Sequence, residues 1–295
     1  MSIKTVFSIK DLENLSGVKA HTIRIWEKRY NLFQPQRTDT NIRVYGNDEL
    51  QKILNIALLN NNGWKVSKIA ELDESAIQEE IKKLLIAGNT YEEVYNDFKL
   101  AMLNFDKKLF DATYAKLIAE VSFKEIFVNV FARLLKEIGI LWHSNTIKPV
   151  HEHFISTLIS QKILLNIEKL KVKEKTNNKT YVLFLPVNEI HQIGLLYVHY
   201  ELLSQGNESI YLGPNVPIQN LEYLQLLHDK IEFISYFTVE PTKENVEAYL
   251  EDMYRNILSK RNEQFYILGR QLENYKPKKK NIILYDDLKS FVESI

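Results

Sequence analysis

Cysteine is absent from the chain, which excludes disulfides, thiolate zinc sites and cysteine nucleophiles outright. No apolar run approaches the roughly 20 residues that a membrane-spanning helix needs, so no membrane partner is expected. Met1–Val6 lacks an apolar core and a cleavage site; no secretory signal is read there, and the cytoplasm is the expected address. There is no internal repeat and no low-complexity segment. No Ser/His/Asp arrangement, phosphate-binding glycine loop or paired-carboxylate motif supports hydrolysis or phosphoryl transfer, so an enzyme is not expected. Net charge is lacking too, with 38 lysines and arginines against 38 aspartates and glutamates. What is present is ordinary globular material: 295 residues, 45% hydrophobic and 26% charged. That length suits two or three domains of roughly 100–150 residues.

The charge is unevenly placed. Residues 1–70 carry 11 lysines and arginines against 6 aspartates and glutamates, and the rest of the chain is acidic by the same surplus. A basic N-terminal module points to a polyanion as partner of that part only. Ser8 is placed to cap a helix bearing Ile9, Leu12 and Leu15 on one face, and Ser16-Gly17 ends it. A second helix from about Lys19 to Arg29 can turn Val18, Ile23 and Trp26 inward. Its outer side then shows His21, Thr22, Arg24, Lys28 and Arg29. Pro35 forbids helix, and Ile42–Tyr45 alternates like a strand of a hairpin wing carrying Arg43 and Tyr45, with Arg37 nearby. Asn47 or Asp48 is expected to cap the helix that follows. A braced outward-facing helix with a basic wing is what major-groove reading and phosphate contact require.

These residues carry a resemblance. Phe7-Ser8-Ile9-Lys10-Asp11-Leu12, Val18 to Glu27, Pro35-Gln36-Arg37 and Arg43-Val44-Tyr45 resemble, in order, the head of MerR-family transcription regulators. The resemblance implies contact with double-stranded DNA, at a pseudo-palindromic operator, through Thr22, Arg24 and Arg43, then Arg37 and Tyr45, with His21 and Lys28 beside them. It also implies a homodimer or higher homo-oligomer. The family usually continues into a long dimerisation helix, whereas here a bundle follows.

Residues 1–75 are thus expected to form a winged helix-turn-helix and 76–90 a linker helix. Residues 91–172 are read as a four-helix bundle whose fourth helix starts at Pro149. The lysine-rich run 171–179 reads as a linker. From Thr180 the rhythm changes to five strand–helix units, with strands at Tyr181–Leu185, Ser209–Leu212, Ile231–Thr238, Gln264–Leu268 and Ile282–Tyr285. Residues 180–295 are therefore expected to fold as a flavodoxin-like, five-stranded parallel α/β domain. The whole is a multidomain α plus α/β chain.

Two patterns in this half bear on chemistry. Glu189-Ile190-His191-Gln192-Ile193-Gly194 follows the first strand, where such sheets bind ligands. A neutral imidazole there suits a transition metal such as cobalt, and Glu189 can accept the other ring N–H and fix the tautomer. Gly194 would let a flat macrocycle approach the backbone. The second pattern is Trp142-His143, then Glu152-His153, at facing helix ends. Each also reads as plain structure: a first-turn histidine, and a core tryptophan beside a solvated Glu-His pair.

Together, and in this order, the bundle and sheet resemble the cobalamin-binding module of corrinoid methyltransferases and of light-responsive MerR-type regulators of the CarH/LitR kind. Leu212-Gly213-Pro214 fits the latter. The resemblance implies cobalamin, adenosylcobalamin first, as cofactor, with His191 as the lower cobalt ligand. Trp142, Glu152 and His153 would cap the upper face, with His143 near the cobalt. Ser235 and Gly269 would stand beside the nucleotide tail. The sequence departs from the pattern at Glu189, usually Asp, and at Gly269-Arg270, usually two glycines. Arg270 either blocks the tail tunnel or turns out to the tail phosphate. Two alternatives stay open: a regulator whose sensor has lost cobalamin, and a corrinoid carrier subunit of a methyltransferase.

Overall fold

The computed structural model describes residues 6–38, 40–86, 90–144, 146–171, 178–261, 263–273 and 275–294, without the side chains of 82–86, 90, 142 and 143. Most of the lysine-rich linker run lies outside these residues. The chain forms two compact units, Met1–Leu158 and Ile159–Ile295.

In the first unit, β1 (Phe7–Ser8) leads into α1 (Ile9–Ser16), which turns at Gly17 into α2 (Ala20–Tyr30). The wing is β2 (Gln36–Arg37) and β3 (Arg43–Tyr45), and β3 pairs antiparallel with both β1 and β2. Ser8 caps α1 as expected: its hydroxyl accepts the Asp11 N–H, and Asp11 Oδ2 accepts the Ser8 N–H in return. The helix runs past Glu13 to Ser16 because Gly17 takes the left-handed conformation, φ 75°, that closes a helix end. Lys19 gives α2 no side-chain cap. Glu13 supplies one from the neighbouring helix, its carboxylate accepting the Ala20 N–H at 3.1 Å. That backbone bond, then the lysine Lys10, holds the Glu13 carboxyl below its ordinary range.

Next come α3 (Asn47–Asn61), α4 (Val66–Ile69) and α5 (Glu74–Ile86). The cap of α3 is Gly46, not Asn47 or Asp48, and Glu49 accepts the Gly46 N–H at 2.9 Å. The bundle consists of α6 (Thr90–Asn104), α7 (Lys107–Ile118), α8 (Phe123–Ile126), α9 (Ala132–His143) and α10 (Pro149–Glu168). A π turn at Phe127–Phe131 fuses α8 to α9 into one long helix, so four helical rods result. The wider turn lets Phe127, Val130 and Phe131 all be buried. Phe131 meets Phe98 edge-on at 5.3 Å and stacks on Phe110 and Tyr114 at 6.2 and 6.3 Å. Such ring pairs add to the burial term.

The second unit is a parallel sheet of β4 (Thr180–Phe184), β5 (Glu208–Gly213), β6 (Ile231–Tyr236), β7 (Phe265–Leu268) and β8 (Ile282–Tyr285). Its spatial order is β5-β4-β6-β7-β8. This is the flavodoxin-like arrangement, the first strand lying between the second and third. Every residue of β4 is buried, as a central parallel strand requires. Phe184, Phe233 and Phe265 pack on one face with α12 (Glu222–Leu227) and α13 (Val246–Met253). The helices α11 (Ile193–Ser204) and α15 (Leu288–Ser294) touch each other in the same unit.

Replacing Phe131 with alanine removes the ring shared by four aromatic contacts, with Phe98, Phe110, Tyr114 and Phe127, and is expected to cost about 3–5 kcal/mol. A fall in the urea midpoint with an unchanged slope would show it.

Candidate functional site

Two sites merit description, one in each unit. On the head, α2 buries Ile23 and Trp26 and turns His21, Arg24, Ile25, Lys28 and Arg29 outward. Thr22 is half-buried, with its hydroxyl 3.3 Å from the His21 ring. Arg37 is exposed and donates to Asn41 Oδ1 at 2.7 Å across the wing turn, where Asn41 has φ 63°. Arg43 is partly exposed and spends its Nε on both oxygens of Glu27, at 3.0 and 3.1 Å. Tyr45 does not fit the role expected for it as a DNA contact. It is 1% exposed, and its hydroxyl donates to the same Glu27 carboxylate at 3.2 Å. Burial first, then the Glu27 charge, pushes that phenol up to about 12. Tyr45 therefore braces the wing against α2 instead of meeting phosphate. Glu27, to which the sequence pattern assigns no role of its own, is the hinge of this brace.

In the sheet unit, the chain leaves β4 and reaches Glu189 and His191 before α11 starts. Glu189 is fully buried. Its Oε1 accepts the His191 N–H at 2.9 Å and lies 2.6 Å from His191 Nδ1. Its Oε2 accepts three successive backbone N–H groups of the loop after β6: Thr238, Val239 and Glu240, at 3.0, 2.6 and 2.9 Å. Burial alone would push this carboxyl up. The bonds from the His191 ring, from Val239 and Glu240, and from the His191 backbone outweigh it and hold the group at about 2. An ionised carboxylate only accepts, so Nδ1 carries the proton and Nε2 the lone pair. In that tautomer Nε2 is the ring nitrogen that can ligate a metal. β4 and β6 are the neighbours between which the strand order reverses, so Glu189 joins the two loops that border the switch point. Val187, Ile190, Leu212 and Val239 are exposed on the loops and strand end at this edge.

The other expected cofactor residues are engaged within the protein. Gly194 does not keep a gap for a macrocycle: a Cβ there would lie 2.8 Å from the Tyr236 ring. Ser235 is buried, and its hydroxyl donates to the Phe184 carbonyl at 2.8 Å. Gly269, at φ 117°, is needed because a Cβ would sit 2.2 Å from the Phe237 carbonyl oxygen. Arg270 is exposed, with its Nε on the Thr238 carbonyl at 3.0 Å, so it does not plug the sheet. The Tyr236 ring thus holds the space beside Gly194. Glu152 is half-buried and His153 exposed on α10. Trp142 and His143 lie near the end of α9, with side chains outside the described residues. Sequence reasoning foresaw the Glu189–His191 bond. It missed the three backbone donors and Tyr236, which no local spacing announces.

Comparison with known proteins places both sites in context. Residues 7–76 match the family model of the MerR HTH family regulatory protein, and residues 94–165 match that of a B12 binding domain. The chain thus carries a MerR-type helix-turn-helix domain followed by a B12 binding domain. It is 24% identical over 221 residues to the HTH-type transcriptional repressor CarH of Myxococcus xanthus, covering 73% of each chain. It is 24% identical over 218 residues to CarA of the same organism, covering 72% of this chain and 70% of that one. The fold also resembles a monomethylamine corrinoid protein of Methanosarcina barkeri, with TM-score 0.54 and 13% identity over 69% of this chain and 97% of that chain. Among the described residues no helix is long and apolar enough to cross a membrane.

Ionised Glu189 stabilises the fold because its folded pKa lies below the ordinary carboxyl value of 4.5. Its contribution is present above about pH 4.5 and is lost as pH falls toward 2. Glu189→Gln is expected to lose roughly 3 kcal/mol at pH 7, and urea midpoints should show the gap to wild type closing as the pH is lowered to 3. Gly269→Ala is expected to cost at least about 2 kcal/mol from strain and backbone overlap, read in the same titration.

Proposed function

We propose that the chain is a transcription regulator, not an enzyme, that grips duplex DNA with α2 and its wing and senses a cobalamin with its bundle and sheet. The observation that carries the sensing half is the imidazole of His191, held in one tautomer by a buried carboxylate at the switch point. On this reading His191 Nε2 would hold the cobalt of a bound cobalamin. Glu189 orients the ring and raises its basicity. Val187, Ile190, Leu212 and Val239 exclude water around it. When bound, a cobalamin supplies a cobalt that accepts one imidazole and, in the adenosyl form, a light-sensitive cobalt–carbon bond. We assign adenosylcobalamin as the form bound, and Trp142, His143, Glu152 and His153 to its adenosyl side. Arg24, Lys28 and Thr22 are assigned to the major groove with His21 beside them, and Arg37 and Arg43 to phosphate. Two heads of a homo-oligomer would then meet the half-sites of a pseudo-palindromic operator.

A second reading is favoured by Tyr236, whose ring stands against Gly194: a regulator of the same fold whose sensor has lost cobalamin. Absorption spectra after mixing with hydroxocobalamin in the dark and desalting separate the two. On the first reading the wild type retains the corrin bands with an imidazole-coordinated spectrum, His191→Ala loses that coordination, and Tyr236→Ala binds more tightly. Retained imidazole coordination in His191→Ala would sink the ligand assignment. Failure of the wild type to bind, with binding by Tyr236→Ala, would establish the second reading.

For the head, Arg24→Ala is expected to weaken operator binding in a gel shift by about 1–3 kcal/mol. Lys28→Ala should reduce the slope of log affinity against log salt by about one unit.

A further inference from the structure

Lys99 on α6 is 5% exposed, yet it reaches out of the bundle into the head. Its Nζ donates to the Leu15 carbonyl at 2.9 Å and pairs with Glu137 of α9 at 2.6 Å. Leu15 stands in the last turn of α1, where carbonyls lack intrahelical donors and a cation meets the negative end of the helix dipole. The other Glu137 oxygen accepts the Tyr95 hydroxyl. The Lys99 ammonium and the Arg133 guanidinium lie over the Tyr95 ring at 4.7 and 4.2 Å. A second tie joins the same helix to the corner between α9 and α10: Asn14 Nδ2 donates to Thr146 Oγ1 at 2.8 Å. These contacts border a cleft of about 440 Å³ lined by α1 and α3 on one side and α6 and α9 on the other.

A buried ammonium is costly unless its partners stay in place. Lys99 therefore favours two arrangements: both partners bonded, or the cleft open and the ammonium in water. We infer that Lys99 and Glu137 form a latch that fixes the helix-turn-helix on the bundle in one orientation. The latch also ties α1 to the α9–α10 corner, which carries Trp142, His143, Glu152 and His153. That second role rests on the cofactor reading above, whereas the latch itself does not.

The lack of cysteine makes the test direct. Spin labels are placed on the full chain through Lys28→Cys on α2 and Ala115→Cys on α7, and pulsed electron resonance reads the distance between them without DNA or cofactor. One narrow distribution is expected with Lys99 present, and a broad one with Lys99→Met. Glu137→Gln, which keeps the shape and removes the charge, is expected to broaden it as well and serves if Lys99→Met does not fold. Narrow, unshifted distributions in folded variants would overturn the latch. Hydroxocobalamin is then added, with binding read separately by absorbance. A distance shift in the wild type that is lost in Lys99→Met despite equal binding supports the coupling. Equal shifts in both overturn it. Absence of binding refutes the cofactor reading and the coupling with it, and leaves the latch to be decided by the ligand-free distances.

Discussion

A carboxylate with no exposure to water is the constraint on which the sheet unit's site depends. Taking such a charge out of solvent costs several kcal/mol, and only a full set of donors offsets it. Glu189 has that set: two groups of His191 on one oxygen and three backbone N–H groups on the other. The donors come from the loops that follow two neighbouring strands, so one charge holds both loops and the imidazole together. An uncharged amide at this place would set its own N–H against the donors. The ring tautomer and the course of the loop from Thr238 to Glu240 both follow from satisfying this one group.

The head uses the same device on a smaller scale. Glu27 gathers Arg43 and Tyr45 onto α2, and Glu13 closes the turn between α1 and α2. In both places an acidic residue of a basic module performs internal work, while Arg24, Lys28 and Arg29 on α2 and Arg37 on the wing stay outward. Lys99 completes the pattern from the bundle side, ending α1 with a cation from a distant helix.

What could be read in advance was whatever is periodic or local. The capping of α1 by Ser8, the inward Ile23 and Trp26, the start of α10 at Pro149 and the five strands each show in a short window. The Glu189–His191 bond was legible because its partners are two residues apart. Tyr45 was misplaced because its burial depends on Glu27, 18 residues earlier, and not on the alternation of its own strand. Gly194 and Gly269 read as room for a ligand; in the fold they are room for Tyr236 and for the Phe237 backbone. Lys99 reads as a surface lysine in any window, since its partner in the head is 84 positions away.

The brace at Glu27 has an evolutionary corollary. Because the wing is locked to α2 by one inward carboxylate, the positions at His21, Arg24, Ile25 and Lys28 carry little responsibility for holding the head together. They can be exchanged almost at will without disturbing the scaffold. Such a module can be redirected to new promoters by changing a few exposed side chains, with its stability and its attachment to the rest of the protein left as they were.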